Sequence, residues 1–372
     1  MNEEARELER LVWAQAGARA RQGDLAYVGE LGSRLATGHE AALEDARTHE
    51  RGLAHVLRVL ALTPGRDSLE QLIPLLDEHG PYGRSETGPR FVAALLAQAQ
   101  RPADLAELLY DGQGLKRKRL DELRACLFHE LLLRGVDARE LRPVAFWLAF
   151  RGGWHRLSWL PAERRPLEAG STFPSWSIGG SAHGVPMGLP AEGRMDPPTP
   201  RTAAPSSLRN VATAEVHENI VAAPHTGRFC CYDGWVFEPD EPLEPALVPA
   251  LLPVLPMDCV AGLSPTGRFE VARRAPADIW PMLFGTASMG GFTGRGAQGA
   301  WGRRAAWSSM AGLCGAPPGA SAEEVERLAL KSVWFHFECD TEWFYDDGEG
   351  YGLAVLSPDH RRLAVLTATD TD

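Results

Sequence analysis

The sequence predicts an α+β protein with an all-helical N-terminal part and a mixed α/β C-terminal part that contains a small antiparallel sheet. Three observations lead to this prediction. Apolar residues recur at helical spacing up to about residue 150, as in Leu53, Val56, Leu57 and Leu60. A stretch rich in proline and glycine then interrupts the pattern. Short alternating segments with turn signals follow that stretch.

Residues 1–155 are predicted to form an irregular helical array, of the HEAT type or a bundle. Alanine is common and β-branched residues are scarce, which favours helix. Breakers such as Gly23, Thr63-Pro64-Gly65 and Gly112 divide the region into roughly seven or eight helices. The region shows no fixed-period repeat, so a regular solenoid is not predicted. Arrays of this kind usually present a surface to a partner.

Residues 156–210 are predicted to be a packed loop or linker. Nine prolines fall between residues 161 and 205, and sustained helices cannot form there. The stretch also contains Phe173, Trp176 and Ile178, and a purely flexible linker would hold fewer large apolar groups. We therefore expect part of it to pack onto the body of the protein.

Residues 211–372 are predicted to be a mixed α/β domain. Asp233-Gly234 between two apolar segments predicts a β-hairpin. Helices are expected over 276–289, over 300–313 and after the capping box Ser321–Glu324, followed by a strand from Val333 and a terminal hairpin. Ten of the eleven tryptophans follow residue 140, so binding specificity is expected in the C-terminal part.

Composition and charge limit the classes of partner. The hydrophobic fraction is 44% and the charged fraction 23%, which are ordinary values for a globular protein. Residues 161–372 hold 16 Lys and Arg against 26 Asp and Glu, which gives −10 of the total charge of −11. Such a region should repel nucleic-acid phosphates. The basic run at 116–119 could be a solvated helix face or a phosphate-binding patch.

The compartment predicted by the sequence is the cytoplasm, without membrane association. The first residues are acidic, unlike those of a signal peptide, and no apolar run reaches the roughly 20 residues of a membrane helix. The six cysteines include no C-x-x-C pair, and the adjacent Cys230 and Cys231 are poorly spaced to bond each other. We expect reduced thiols and no structural zinc site.

A glycine-rich segment at 285–304 is the strongest candidate for anion binding. It contains G-x-G-x-x-G before a predicted helix, and a helix N-terminus supplies free N–H groups. The alternative is a glycine-rich turn that lets two helices pack closely, since no strand precedes the motif and no P-loop lysine follows it. The candidate ligand-binding residues are Gly290, Gly291, Gly294, Arg295, Gly296, Gly299 and Arg303.

A second candidate site is acidic. Period-two alternation from Val333 places His336, Glu338, Asp340 and Glu342 on one face of a predicted strand. Glu338, Asp340 and Glu342 are the candidate catalytic residues, as general acids or bases. Such carboxylates could also bind Mg²⁺, Mn²⁺ or Ca²⁺, but no residue is assigned as a metal ligand and no cofactor is identified. The alternative is the solvent face of an amphipathic strand.

Three strings resemble those of an uncharacterised family of bacterial proteins from high-GC genomes that carries a domain of unknown function. They are Phe173–Trp176, Gly299–Trp307 and Leu363–Asp372. The resemblance covers mostly the C-terminal two-thirds and implies no reaction. It implies that the glycine-rich segment and the C-terminus belong to one structural unit. A separate hypothesis, based on the chain ending directly after a strand, is that Asp370 and the terminal carboxylate face the glycine-rich segment.

Two functional hypotheses follow. The first is a non-catalytic binding or interaction protein, with the helical array as scaffold and the aromatic-rich C-terminal domain as the recognition site for a protein partner. The second is an enzyme acting on a small anionic or nucleotide-like ligand at the glycine-rich segment, with a divalent metal as an option. No strong catalytic motif decides between them.

Overall fold

A computed structural model describes residues 3–41, 46–78, 88–112, 117–150, 154–182, 184, 187–195, 208–264, 267–291, 296–344 and 349–370. The chain divides into two compact units. Unit 1 comprises residues 1–164, 174–182 and 298–300, and unit 2 comprises residues 165–173, 183–297 and 301–372. The fold is α+β, as the sequence predicts.

Unit 1 is mostly helical over its described residues up to residue 150. Its described α-helices are α1 (Glu3–Arg21), α2 (Leu25–Ala41), α3 (Ala46–Leu62), α4 (Arg66–Glu78), α5 (Pro89–Ala99), α6 (Pro102–Tyr110), α7 (Asp121–Leu133) and α8 (Arg142–Phe150). α1 packs on α2 and α3, α2 on α3 and α4, and α3 on α4 and α5. Contact with the next two helices along the chain is the packing of a stacked helical array.

The predicted helical spacing accounts for the buried face of α3. Val56, Leu57 and Leu60 of α3 are buried. Proline occupies the first position of α5 and of α6. Amide groups in the first turn of a helix have no acceptor within the helix, so the missing N–H of proline costs no hydrogen bond there. Unit 1 also contains a short hairpin of β1 (Ser175–Ser177) and β2 (Gly180–Ala182).

Unit 2 is built on a five-stranded antiparallel sheet with strand order β3-β7-β6-β5-β4. The strands are β3 (Cys231–Phe237), β4 (Phe269–Arg274), β5 (Val333–Cys339), β6 (Glu349–Leu356) and β7 (Leu363–Asp370). β6 and β7 form the predicted terminal hairpin, with Leu356 opposite Leu363. β3 pairs with β7, which begins more than 120 residues further along the chain.

The predicted hairpin at Asp233-Gly234 is wrong, because both residues lie inside the continuous strand β3. Asp233 pairs with Thr367 and Gly234 with Leu366 of β7. A Cβ on Gly234 would lie 2.7 Å from a side-chain carbon of Ile220. This glycine therefore marks a close approach rather than a turn.

Both faces of the sheet in unit 2 are covered. One face carries Phe335, Phe337 and Val365, which pack in a core with Leu251 and Leu252. The other face carries Trp334 and His336 of β5, which are also buried. A strand that is buried on both faces has a nearly continuous run of apolar residues. Its alternation of apolar and polar residues is therefore weaker than in a strand with one face in solvent.

Six further α-helices belong wholly or largely to unit 2. They are α9 (Ala214–Ile220), α10 (Ala222–Gly227), α11 (Val248–Leu251), α12 (Pro276–Met289), α13 (Gln298–Cys314) and α14 (Ala322–Lys331). The predicted capping box starts α14: the Ser321 hydroxyl accepts from the Glu324 amide, and the Glu324 carboxylate accepts from the Ser321 amide.

The proline-rich stretch contributes ordered structure to each unit. In unit 2, residues 166–170 form a 3-10 turn with Leu167 and Glu168 buried, and Met187 and Leu189 are also buried. In unit 1, the ring of Trp176 meets that of Phe91 edge-on, 4.7 Å between centroids. Among the described residues, no helix is long and apolar enough to cross a membrane.

Candidate functional site

The glycine-rich segment follows the end of α12. Gly290 closes the helix with φ of 80°, a value that favours glycine. A Cβ on Gly291 would lie 1.8 Å from a carboxylate oxygen of Asp370, so Asp370 faces this segment, as hypothesised from the end of the chain. Gly294 and Arg295 lie outside the described residues.

Gly296 and Gly302 allow a close approach to the last turn of α12. A Cβ on Gly296 would lie 2.4 Å from the Ser288 carbonyl oxygen, and the Gly296 amide donates to the Met289 carbonyl at 3.0 Å. A Cβ on Gly302 would lie 2.6 Å from that of Ser288. These contacts support the alternative interpretation, in which the glycines allow close packing of helical backbone.

The amide of Gly299, in the first turn of α13, already binds a carboxylate. Gln298, Gly299 and Ala300 belong to unit 1, and the Gly299 amide donates to Glu130 Oε1 at 2.6 Å. Glu130 lies in α7, is 1% exposed and also pairs with Arg134. A carboxylate of the chain itself therefore occupies this amide at the helix N-terminus, and the assignment of Gly299 as a ligand-binding residue stays a prediction.

Arg303 is fully buried in unit 2 and paired. Its Nε and one terminal nitrogen donate to the Glu168 carboxylate at 2.7 and 3.0 Å, and the Trp307 indole donates to Glu168 Oε1 at 2.6 Å. Burial lowers the pKa of the Arg303 guanidinium, and Glu168 opposes this effect. The pairing favours a structural role for Arg303, and its assignment as a ligand-binding residue stays a prediction.

The three candidate catalytic carboxylates do not share one strand. Glu338 lies in β5, whereas Asp340 and Glu342 follow the strand and are exposed. Asp340 accepts from the Arg268 amide at 3.2 Å and lies 3.5 Å from the Arg268 guanidinium. Because β5 ends at Cys339, the predicted alternation cannot align Asp340 and Glu342 with Glu338.

Glu338 instead belongs to a group of ionisable side chains on one face of β4 and β5, which we call the cross-strand polar cluster: Glu270, Arg274, His336 and Glu338. His336 Nε2 lies 4.0 Å from Glu338 Oε1, which accepts from the Leu189 amide at 2.5 Å. Burial raises the pKa of Glu338. Burial and the neighbouring Arg274 lower the pKa of His336 to about 4.

The pKa of His336 predicts a loss of stability in acid. Between about pH 6.5 and pH 4 the unfolded chain binds a proton at His336 that the folded chain does not, so stability falls as pH falls. The full effect is about 3 kcal/mol. The raised pKa of Glu338 acts in the opposite direction, because the folded chain takes up its proton first. We expect His336→Gln to flatten this pH dependence.

The pH prediction is checked by urea unfolding at pH 7 and pH 4.5, followed by tryptophan fluorescence. His225→Gln, at an exposed histidine, is the matched control and should keep the slope of the natural chain. Comparing variants cancels the similar contribution of His55 in unit 1, whose pKa burial lowers to about 4. Equal slopes in all three chains would contradict the assignment.

Sequence reasoning missed the partners of Glu338 on β4. Glu270 lies directly opposite Glu338, and Arg274 lies opposite Trp334 on the same face as His336. Only strand pairing brings these residues together, since more than 60 positions separate them along the chain. No local pattern in the sequence gives that register.

Sequence reasoning also missed a group of exposed aromatic residues in unit 1, which we call the exposed aromatic set: Phe146, Phe150, Trp154 and Trp159. They are 55%, 66%, 92% and 36% exposed, respectively. The rings of Phe146 and Phe150, one helical turn apart on α8, are 4.5 Å apart. The sequence of α8 contains a signal for this exposure, because its large apolar residues are not confined to one side of the helix. Val144 and Trp147 occupy the buried side.

Other chemistry-bearing side chains of the described residues form separate pairs. Within the described ranges, no group of three or more His, Cys, Asp or Glu could hold a metal ion. His217 Nε2 pairs with Asp233 at 2.8 Å and His225 Nδ1 with the Tyr232 hydroxyl at 2.7 Å, both near the surface. Burial, with Cys230 and Asp370, raises the pKa of the Cys231 thiol, which opposes nucleophilic activation.

The fold and these sites define an α+β protein with a helical unit and a sheet-based unit. The sequence model of a family described as "Family of unknown function (DUF6183)" matches residues 10–372. The chain therefore belongs to this family. The match extends through the helical region, beyond the C-terminal two-thirds covered by the resemblance. No curated protein and no solved structure matches the chain.

Proposed function

We propose that the chain is a non-catalytic binding protein of the cytoplasm that holds a protein partner on the exposed aromatic set of unit 1. The observation that supports this function is the exposure of Phe146, Phe150 and Trp154, each more than half accessible. Single exposed apolar residues are ordinary, but the rings of Phe146 and Phe150 lie side by side, and adjacent exposed aromatics are typical of an interaction surface.

The composition around the set fits a protein partner. Trp, Phe and Arg are enriched in the energetic centres of protein interfaces, and the exposed residues Arg142 and Arg156 lie within the same segment. The neighbouring acidic residues Glu140 and Glu163 are also exposed, which makes an anionic lipid surface a poorer match than a protein of mixed charge.

This proposal places the recognition surface in the helical unit rather than in the aromatic-rich C-terminal domain. Trp280, Trp307 and Trp334 of unit 2 are fully buried and serve as core. The enzyme hypothesis gains no support from the Gly299 amide or the Arg303 guanidinium, because internal glutamates already bind both groups.

Replacing Phe146 and Phe150 together by alanine should weaken partner binding by roughly 10- to 100-fold or more, because aromatic anchors dominate interface energies. A photo-crosslinking amino acid at position 150, in the native host, identifies the partner. Titration calorimetry of the purified partner then compares the natural chain with the double variant. The free energy of unfolding should change by about 0.5 kcal/mol or less, since both side chains are exposed.

Leu330→Ala is the matched control for this experiment. Leu330 is an apolar residue of α14 that is 63% exposed and lies outside the exposed aromatic set. Its replacement should leave the affinity unchanged. If crosslinks at positions 150 and 330 give the same adducts, or if the double variant binds as tightly as the natural chain, the proposed function is wrong.

A further inference from the structure

We propose that the cross-strand polar cluster of unit 2 binds a small zwitterion, of which a free α-amino acid is the simplest form. This proposal does not depend on the protein partner of unit 1. It rests on the arrangement of Glu270, Arg274, His336 and Glu338 on one face of the sheet. It also rests on buried polar atoms there that lack hydrogen-bond partners within the described part of the chain.

The register of β4 and β5 brings the four side chains together. Glu270 lies opposite Glu338, and Ala272 lies opposite His336. Side chains two positions apart on a strand share a face, so Arg274 flanks Ala272 on the side away from Glu270. Ala272, opposite His336, is the smallest side chain in this group and is fully buried.

Three buried atoms in the cluster have no hydrogen-bond partner among the described residues: Glu270 Oε2, Arg274 Nε and His336 Nε2. His336 is 3% exposed, and its Nε2 lies 4.0 Å from the Glu338 carboxylate. An unsatisfied buried polar atom is costly in a folded protein and calls for a partner. A ligand with both donors and acceptors would satisfy all three atoms.

The remaining polar contacts hold the cluster in place without satisfying these atoms. Arg194 donates to Glu270 Oε1 at 3.3 Å, and Arg268 lies 3.7 Å from Glu270 Oε2, beyond hydrogen-bond distance. The other end of Arg274 pairs with Asp278 at 3.5 Å. The Leu189 amide fixes Glu338. The carboxylates and the unpaired nitrogens are therefore positioned before any ligand arrives.

The mixture of charges selects a zwitterion. A simple anion would be attracted by Arg274 but repelled by Glu270 and Glu338. A simple cation would be attracted by the two carboxylates but repelled by Arg274. A zwitterion places its carboxylate against Arg274 Nε and the His336 ring and its ammonium against Glu270 and Glu338. Charge-assisted hydrogen bonds then form at both ends.

The experiment uses the full chain and free amino acids as probes. Each of the common amino acids is screened for a saturable rise in the thermal unfolding midpoint, and any hit is titrated by calorimetry. We expect at least one hit. Its N-acetyl derivative and its carboxamide each lose one charge and should bind roughly 10- to 100-fold more weakly.

Variants assign the hit to the cluster. Glu270→Gln and Glu338→Gln should each weaken binding by roughly tenfold or more while the chain stays folded. Glu323→Gln removes an exposed carboxylate from the first turn of α14 and should leave binding unchanged. The proposal is overturned by a flat screen on folded protein, by a hit whose N-acetyl and carboxamide derivatives bind equally well, or by a hit that both cluster variants retain.

Discussion

Replacement of Glu168 by alanine is expected to destabilise unit 2 by about 3–5 kcal/mol, the usual effect of removing one partner from a buried ion pair. Glu168 and Arg303 are both fully buried, and Glu168 also accepts from the Trp307 indole and the Arg165 amide. Without the carboxylate, the Arg303 charge would stay in the core with its main partner removed.

The measurement is the free energy of unfolding in urea, followed by tryptophan fluorescence. Glu163→Ala is the matched control, because Glu163 lies five residues away and is 54% exposed. It should cost about 1 kcal/mol or less. The Glu168→Leu and Arg303→Met double variant should recover much of the loss, because an apolar pair can replace a buried ion pair. Equal stability of the Glu168→Ala and Glu163→Ala chains would contradict this account.

The pairing of Glu168 with Arg303 is a feature that the sequence alone does not predict. The sequence predicts that part of the proline-rich stretch packs, because Phe173, Trp176 and Ile178 are too apolar for a free linker. It cannot show that a glutamate in that stretch enters the core. Burial of a charge depends on a partner 135 residues away, and no local pattern encodes that distance.

The fold could be predicted where local periodicity and packing agree. Helical spacing in α3 and the capping box of α14 both correspond to observed elements, since each signal involves residues within one or two turns. Asp233-Gly234 has the chemistry of a turn, yet pairing with β7 and the close approach of Ile220 place it inside a strand. Tertiary packing therefore overrides a local preference there.

The candidate sites likewise contain residues that the sequence identifies and residues that it does not. Glu338 is a sequence-derived candidate that the structure places in an ionisable cluster, because its strand was recognised. The sheet register brings Glu270 and Arg274 close to it, so the sequence alone does not identify these two neighbours. The sequence alone does not identify the exposed aromatic set, for a different reason. An apolar residue on a helix suggests burial unless other residues are known to occupy the buried face.

Gly296→Ala is expected to destabilise unit 2 by about 3 kcal/mol, because the added methyl group would meet backbone rather than flexible side chains. The Cβ would lie 2.4 Å from the Ser288 carbonyl oxygen and 2.5 Å from the Gly290 nitrogen. Neither atom can move without disturbing the last turn of α12. Urea unfolding at pH 7 measures the effect.

Gly184→Ala, in the same unit, is the matched control, because no atom of the described residues lies within 4 Å of a Cβ at Gly184. Its stability should match that of the natural chain or slightly exceed it, since alanine restricts the unfolded state more than glycine does. A large loss confined to Gly296→Ala would mean that the glycine motif serves helix packing. A Gly296→Ala chain as stable as Gly184→Ala would show that packing does not require this glycine, and the ligand-loop interpretation of the segment would regain its support.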